Sequence, residues 1–349
     1  MQVSSISFFS DLKDTLFEKI PEAKPYNLKQ ITLWFGRGVY DFSQMTDLSL
    51  NLRTHLRGEF NNPFSSEVAT FLSADDGSFK VVLRLHDSEV VECVLLKNSD
   101  KTYTACLSSQ VGCPMGCEFC RTGKMKLKRN LSDYEIVEEF AHLHDICVNK
   151  YNSTISHIVF MGMGEPLLNV SNLVSSIEKI REIYKLGYRR ITVSTCGVLP
   201  GIRELEKLNV PVKLAVSLVS ADNEMRSRLM PVNRTYGLSS LKSELLNYQR
   251  IYKRRITLEY CMIHGVNLSS RCADLLYKFI KGLNVLVNLI PLNYTPDLDY
   301  KSPDYDEVMF FRRCLDNLNI TYTVRNSKGS EILGACGQLA GTYSQVTCI

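Results

Sequence analysis

The hydrophobic rhythm of the chain changes twice. Over residues 1–60 apolar positions recur at helical spacing, as in LKQITLWFGRG and in DFSQMTDLSLNLRTHLRGEF, where Thr46 or Asp47 would start the helix. MQVSSISFFSDLKDTLFEKI predicts a further amphipathic helix. Over 61–105 the period shortens. FKVVLRL, VVECVLL and YTACLSS are short, β-branched and separated by ADDGS and KNSDK turn signals, which predicts a small β extension. From 106 to 349 the candidate strands ISHIVFMG, RRITVSTCG, VKLAVSL, RITLEYCMI, LVNLIPLN and TYTVRN alternate with helical patterns such as SDYEIVEEFAHLHDIC and VSNLVSSIEKIREIYKLG. That alternation predicts an α/β fold with a parallel sheet and crossover helices, about six units forming an open partial (β/α)6 barrel. In such a barrel the active site sits at the carboxyl ends of the strands, where GMGEP, STCG, SLVS and PLN fall.

Composition adds limits. The 349 residues are 45% hydrophobic and 22% charged, ordinary for a globular chain. No stretch approaches the ~18 apolar residues of a membrane span. The N-terminus lacks the basic start and continuous apolar centre of a signal peptide, so a cytoplasmic location is expected. Twelve cysteines there point to metal or redox chemistry rather than a disulfide scaffold. Net charge is only +4, but GKMKLKRN (123–130) and KRR (253–255) concentrate basic residues, either as solvated faces or as phosphate-tracking surfaces.

The densest chemistry is VGCPMGCEFCRTG, where Cys113, Cys117 and Cys120 follow a C-x3-C-x2-C spacing. One loop can bring three such thiolates around zinc or an iron–sulfur cluster. Zinc favours four closed ligands and paired knuckles, and there is no second pair nearby. A 4Fe–4S cluster takes four cysteines, and three leave one iron open for a substrate.

With Phe119 before its last cysteine, this loop resembles that of the radical S-adenosylmethionine (SAM) superfamily. CLSSQVGCPMGCEFCRTG, LKRNL, FMGMGEPLLN, RRITVSTCGVLPGI, LMPVNR, LIPLN and ACGQLAG, in that order, resemble the RlmN/Cfr family of rRNA adenine methyltransferases more specifically. FGRGVYDFSQMTDLSLNLR is similar to that family's helical accessory domain. EPLLN is RlmN-like, since Cfr-type chains tend to carry Ala in place of Pro166.

The resemblance implies that Cys113, Cys117 and Cys120 hold a 4Fe–4S cluster, and that SAM is used twice per turnover. It implies SAM contacts from Gly164, Glu165, Ser194, Ser217, Leu218, Val219 and Asn293, with Gly162 and Gly164 allowing close backbone approach. At Val219 the family commonly has His, so only a main-chain contact would survive there. One SAM would methylate Cys336, and the radical made from a second would activate that methyl group. The carbon would add to adenine, and Cys106 would release it by attacking the Cys336 sulfur. Glu92, or failing it Glu89, would take the ring proton. The implied substrates are adenine 2503 of 23S rRNA, methylated on carbon 2, and adenine 37 of tRNA. The implied partners are flavodoxin or ferredoxin as electron donor, with the chain a monomer. Two alternatives stand beside this: Cfr-type carbon-8 methylation, and a non-catalytic RNA-binding protein with structural zinc. Lys126, Lys128 and Arg129 would contact phosphate. Trp34, Phe35 and Tyr40 either grip RNA by shape or pack a core, the latter preferred for Trp34. Cys93, Cys147, Cys196, Cys261, Cys272, Cys314 and Cys348 are expected to be small buried hydrophobes.

Overall fold

The computed structural model describes residues 8–10, 12–60, 62–295, 297–325 and 327–341; Cys348 lies outside them. The N-terminal region holds α1 (Leu12–Lys19), α2 (Pro25–Gly36) and α3 (Leu50–Phe60). Residues 42–44 form one 3-10 turn instead of joining the helix. Ser49, not Thr46 or Asp47, starts α3, its Oγ accepting from the Leu52 N–H at 3.2 Å. Asp47 is already engaged, because Trp34 Nε1 donates to its carboxylate at 2.5 Å. Phe8, Phe35, Phe42 and Phe60 pack edge-on and tilted into a buried cluster.

Among the described residues the main sheet has ten strands. β1 (Glu67–Ser73), β2 (Phe79–Arg84), β3 (Val90–Lys97) and β4 (Tyr103–Cys106) run antiparallel. β5 (Gln110–Val111) and β6 (Arg129–Asn130) form a separate small ladder. β7 (Ile155–Phe160), β8 (Ile191–Thr195), β9 (Lys213–Ser217), β10 (Ile256–Met262), β11 (Val285–Pro291) and β12 (Tyr322–Val324) are parallel and follow one another in order. All six predicted barrel strands are present, and β1 and β12 leave the sheet open at both edges. EVATFLS, not singled out in the sequence, forms β1. The predicted β extension is continuous with the barrel, since β4 pairs parallel with β7 through Cys106 and Val159.

The helices after β5 are α4 (Arg121–Lys124), α5 (Asp133–Asp145), α6 (Val170–Tyr184), α7 (Leu199–Lys207), α8 (Asn223–Leu229), α9 (Val232–Thr235), α10 (Leu238–Tyr252), α11 (Ser270–Ile280) and α12 (Tyr305–Asn317). Ser132 opens α5 in a reciprocal cap with Glu135. Although α5 is rich in polar residues, Glu138, Glu139, His142 and His144 are buried. The Ser65 and Ser66 N–H groups donate to Glu138 at 2.9 Å, which satisfies a carboxylate that burial would otherwise penalise. Tyr40 bonds His144 of α5 at 3.1 Å and Tyr184 of α6 at 3.0 Å, docking the N-terminal region on the barrel helices. Phe35 and Tyr40 are therefore core residues, and Trp34, half-buried, packs against that core, in line with the sequence preference for it. Among the described residues no helix is long and apolar enough to cross a membrane.

Candidate active site

The C-x3-C-x2-C segment leaves β5 as a loop, and only one turn of helix, α4, follows Cys120. Cys113, Cys117 and Cys120 line one cavity with the carboxyl ends of β7 to β11. Burial pushes the Cys113 thiol up to about 12, and burial with the neighbouring thiols raises Cys117. Around a single zinc, bonds of ~2.3 Å would bring the sulfurs to about 3.8 Å from one another. Among the described residues only His264, Asp304 and Glu307 gather three potential ligand atoms within 4.8 Å, so the three sulfurs stand wider than that.

At the end of β7, a Cβ on Gly162 would lie 2.6 Å from Ser108 Oγ, and one on Gly164 (φ +99°) 2.6 Å from Gln110 Cβ. The atoms that demand glycine here are thus the protein's own, from the β4–β5 connection. Both carboxyl oxygens of Glu165 are taken by backbone, from Leu167 N–H at 3.1 Å and Cys196 N–H at 2.8 Å. Glu165 thereby locks the β7 and β8 ends together. Ser194, Ser217, Val219 and Asn293 line the cavity with Gly164 and Glu165. Leu218 does not; it is buried, with its N–H donating to the Glu259 carbonyl at 3.0 Å. Val219 holds φ +60°, a left-handed conformation costly for a β-branched side chain. Asn267 Nδ2 donates to its carbonyl at 2.8 Å and sustains that turn.

The GACGQLAG segment folds over the cysteine loop. The Arg121 N–H donates to the Gly337 carbonyl at 2.9 Å, Thr122 Oγ1 to the Leu339 carbonyl at 2.6 Å, and Asn293 Nδ2 to the Cys336 carbonyl at 3.0 Å. Gln338 fixes the segment from within, accepting from Ala335 N–H and donating to the Tyr294 carbonyl. Cys336 therefore lines the cavity of the three cysteines. On its other side it lines a narrow cavity of about 20 Å³ shared with Cys106, Val159 and Arg325. Burial, then the Cys336 charge, pushes the Cys106 thiol up to about 12. Native Cys106 should consequently resist iodoacetamide near pH 7 and react faster as pH rises, by about tenfold per unit below its pKa. Peptide mass spectrometry of native and unfolded protein measures this; rapid native alkylation at pH 7 would contradict the burial.

Glu92 sits on β3, two residues from Val94, which pairs with Cys106. Glu92, Val94 and Cys106 therefore share one face of the sheet. A turn at 98–102 joins β3 to β4, with Asn98 N–H donating to the Thr102 carbonyl at 2.8 Å. Glu89 is half-buried and paired with Lys128 at 2.6 Å, while Glu92 is 1% exposed. Arg129 is also consumed by acids, Asp87 at 2.6 Å and Glu135 at 2.8 Å. Of the expected phosphate contacts, only Lys126 stands exposed without an acid among the described residues, because the turn before β3 supplies acids to the other two.

Several site residues escaped the sequence. Glu259 and Cys261 of β10 line the cysteine cavity, as does Cys196, although both cysteines were expected to be mere packing. Arg325 follows β12 beside Cys336 and Cys106. Arg226 of α8 is fully buried and donates only to neutral oxygens: Leu218 O at 3.1 Å, Cys196 O at 2.7 Å, Ser217 O at 3.2 Å and Asn233 Oδ1 at 3.0 Å. The common signal for most of them was position: Cys196, Cys261 and Arg325 fall at or just past the end of a strand, and Arg226 in the lead-in to LMPVNR, whereas Glu259 lies in the middle of β10 and gave no such signal. Arg226→Met would strand those oxygens and should cost about 3 kcal/mol, read as a lower melting temperature; an unchanged melting temperature would contradict it.

A parallel open sheet with a three-cysteine loop at its carboxyl edge defines the class. Residues 107–276 match the radical SAM superfamily model, and residues 10–61 match the ribosomal RNA large subunit methyltransferase N-terminal domain. The chain is 41% identical to the dual-specificity RNA methyltransferase RlmN of Syntrophobacter fumaroxidans, covering 88% of this chain and 90% of that one. It is 41% identical to a probable dual-specificity RNA methyltransferase RlmN of Chlorobium phaeobacteroides, covering 92% and 90%. A radical SAM methyltransferase from Sphaerobacter thermophilus superposes with TM-score 0.88 at 35% identity, covering 98% of this chain and all of that one. The chain belongs to the RlmN family of radical SAM RNA methyltransferases.

That family implies a 4Fe–4S cluster and SAM, and the residues present fit them. Arg226 is a buried cation that no carboxylate pairs with among the described residues, and it faces the thiols of Cys196 and Cys117. Thiolates on an anionic cluster would supply the missing counter-charge.

Proposed function

We propose that the chain methylates carbon 2 of adenine 2503 in 23S rRNA and of adenine 37 in tRNAs, carrying the new carbon on Cys336. The observation that carries this reading is Cys336 itself, which faces the three-cysteine cavity on one side and Cys106 on the other. A carrier must receive its carbon in one place and be relieved of it by a second thiol, and among the described residues Cys336 is the one thiol that lines both cavities.

Cys113, Cys117 and Cys120 would hold the cluster, with SAM along the strand ends at Gly164–Glu165, Ser194, Ser217, Val219 and Asn293. When bound, these groups supply the methyl group and the one-electron chemistry that activates it. The remaining work falls to side chains. Cys336 presents the carbon to the base. Glu92 accepts the ring proton. Cys106 attacks the Cys336 sulfur: the S–S bond forms, the S–C bond breaks, and its electron pair leaves with the carbon, which takes up a proton to become a methyl group. A flavodoxin or ferredoxin would supply electrons to a cytoplasmic monomer.

The spread of the three sulfurs favours a cluster over a lone zinc, and Pro166 favours the RlmN branch over carbon-8 chemistry. Mass spectrometry of rRNA and tRNA digests after in vitro turnover tests the proposal. It predicts 2-methyladenosine at both positions. Only 8-methyladenosine, or stoichiometric zinc with no methylation, would overturn it.

A further inference from the structure

Lys80 is a buried charged group that the steps above leave unused. This lysine lies on β2 opposite Val94 of β3, so it shares the sheet face of Glu92 and Cys106. It is only 3% exposed. A lysine is almost never buried without a partner, and Lys80 has two. Its Nζ lies at an ion-pair distance of 3.6 Å from Glu92 Oε2, a buried oxygen with no hydrogen-bond partner among the described residues, and 3.3 Å from the Leu333 carbonyl, to which it donates. Leu333 stands three residues before Cys336 on the segment that covers this face. One ammonium thus touches both the acid assigned as base and the strap that bears the carrier thiol.

We propose that Lys80 is a positioning residue for Glu92: its ammonium keeps the buried carboxyl ionised, and therefore able to accept the ring proton, while anchoring the Cys336 segment over it. This rests on Glu92 being the base. In the step concerned, the adenine C–H bond breaks and an O–H bond forms on Glu92. The electron pair stays with the ring, and Lys80 keeps its own proton throughout.

The charges around Glu92 show why a cation is needed there. Burial raises its affinity for a proton, and Lys80, the Ala340 N–H and Arg121 oppose that rise. Arg121 of α4 is held elsewhere, with Asp297 at 2.8 Å and the Gln338 carbonyl at 3.3 Å. From β4 the facing group is the Cys106 thiol, and Cys93 projects from Glu92's own strand to the opposite face. Neither thiol supplies a positive charge. Burial also depresses Lys80, with Glu92 acting the other way. Each member of the pair thus keeps the other charged. Without Lys80, burial would hold the proton on Glu92 to a higher pH, and the carboxyl could act as a base only once the pH is raised.

The test uses the full chain with its cluster, as Lys80→Met, Lys80→Arg and Glu92→Gln. The first readout needs no turnover: infrared difference spectra against Glu92→Gln isolate the Glu92 carboxyl. At pH 7 the wild type and Lys80→Arg should show an ionised carboxylate, and Lys80→Met a protonated acid. The second readout is the covalent protein–RNA adduct left when the ring proton is not removed. Lys80→Met should accumulate at least about tenfold more adduct at pH 7, relieved by raising the pH by about one unit or more. Lys80→Arg should restore the wild-type profile. Iron content and SAM cleavage report whether Lys80→Met folds. If it does not, the pH profile of Lys80→Arg against the wild type decides. An ionised Glu92 in folded Lys80→Met, a wild-type pH profile in that variant, or a Lys80→Arg variant lacking the wild-type profile would each overturn the assignment. Normal turnover by Glu92→Gln would instead remove Glu92 as the base, and the infrared readout would still decide whether Lys80 holds it ionised.

Discussion

Replacing Cys336 by Ala should abolish methylation of RNA, by at least about a thousandfold, while reductive cleavage of SAM continues. The separation follows from the arrangement of the site. Cys113, Cys117, Cys120 and the strand ends that line their cavity are untouched by the change. The segment itself should stay seated, because its anchors are the Cys336 carbonyl, the Gly337 and Leu339 carbonyls and the Gln338 side chain, none of them the Cys336 sulfur. What disappears is the one thiol that borders both cavities. Methylated nucleosides in RNA digests and 5′-deoxyadenosine in the supernatant, measured on the same sample, separate the two activities. Methylated RNA from the variant would contradict the carrier role, and loss of SAM cleavage would mean that Cys336 also shapes the cleavage site.

Cys106→Ala should fail later and differently. Cys106 lies on β4, buried against Val159 of β7, and borders Cys336 through a space of about 20 Å³. Removing one sulfur there should cost stability only modestly, about 1–2 kcal/mol, as a small buried truncation does. Transfer of carbon to RNA would proceed, but no thiol would remain to cleave the carbon–sulfur bond. The RNA should stay attached, seen as a slow band on a denaturing gel that ribonuclease shortens and reducing agent leaves intact. Free protein with normal turnover would remove Cys106 from the reaction. Taken together, the two variants order the thiols: one blocks attachment, the other blocks release.

The parts of this molecule that were legible in its sequence are those written in local chemistry. The six barrel strands announce themselves because each is β-branched, apolar and followed by a turn of small polar residues, and the structure keeps all six. The cysteine loop was equally plain, since three soft ligands within eight positions have few other uses. What stayed hidden depends on partners far away in sequence. Lys80 looks like an ordinary strand lysine until the segment near residue 333 covers it. Arg226 looks like a surface cation on a short helix, yet four oxygens from three other segments surround it. Lys128 and Arg129 looked free because the acids that neutralise them, Glu89 and Asp87, lie some forty positions earlier (39 and 42 residues). Tyr40 was a candidate for RNA contact because the helices it bonds to belong to the barrel, and Phe35 because the rings it packs against, Phe8, Phe9 and Phe42, are spread over the N-terminal region, neither of which local periodicity reports. Glycines 162 and 164 were credited to a cofactor, whereas the tightest contacts they relieve are with Ser108 and Gln110.

If Cys336 is the carrier, it bears the transferred carbon before RNA arrives. Oxygen-protected protein incubated with SAM and reductant but no RNA, then digested, allows the peptide containing Cys336 to be weighed directly. The account predicts that this peptide gains the mass of one methylene group and that its sulfur is the site of the gain. An unmodified Cys336 in protein that cleaves SAM, or the same gain on another cysteine, would contradict it.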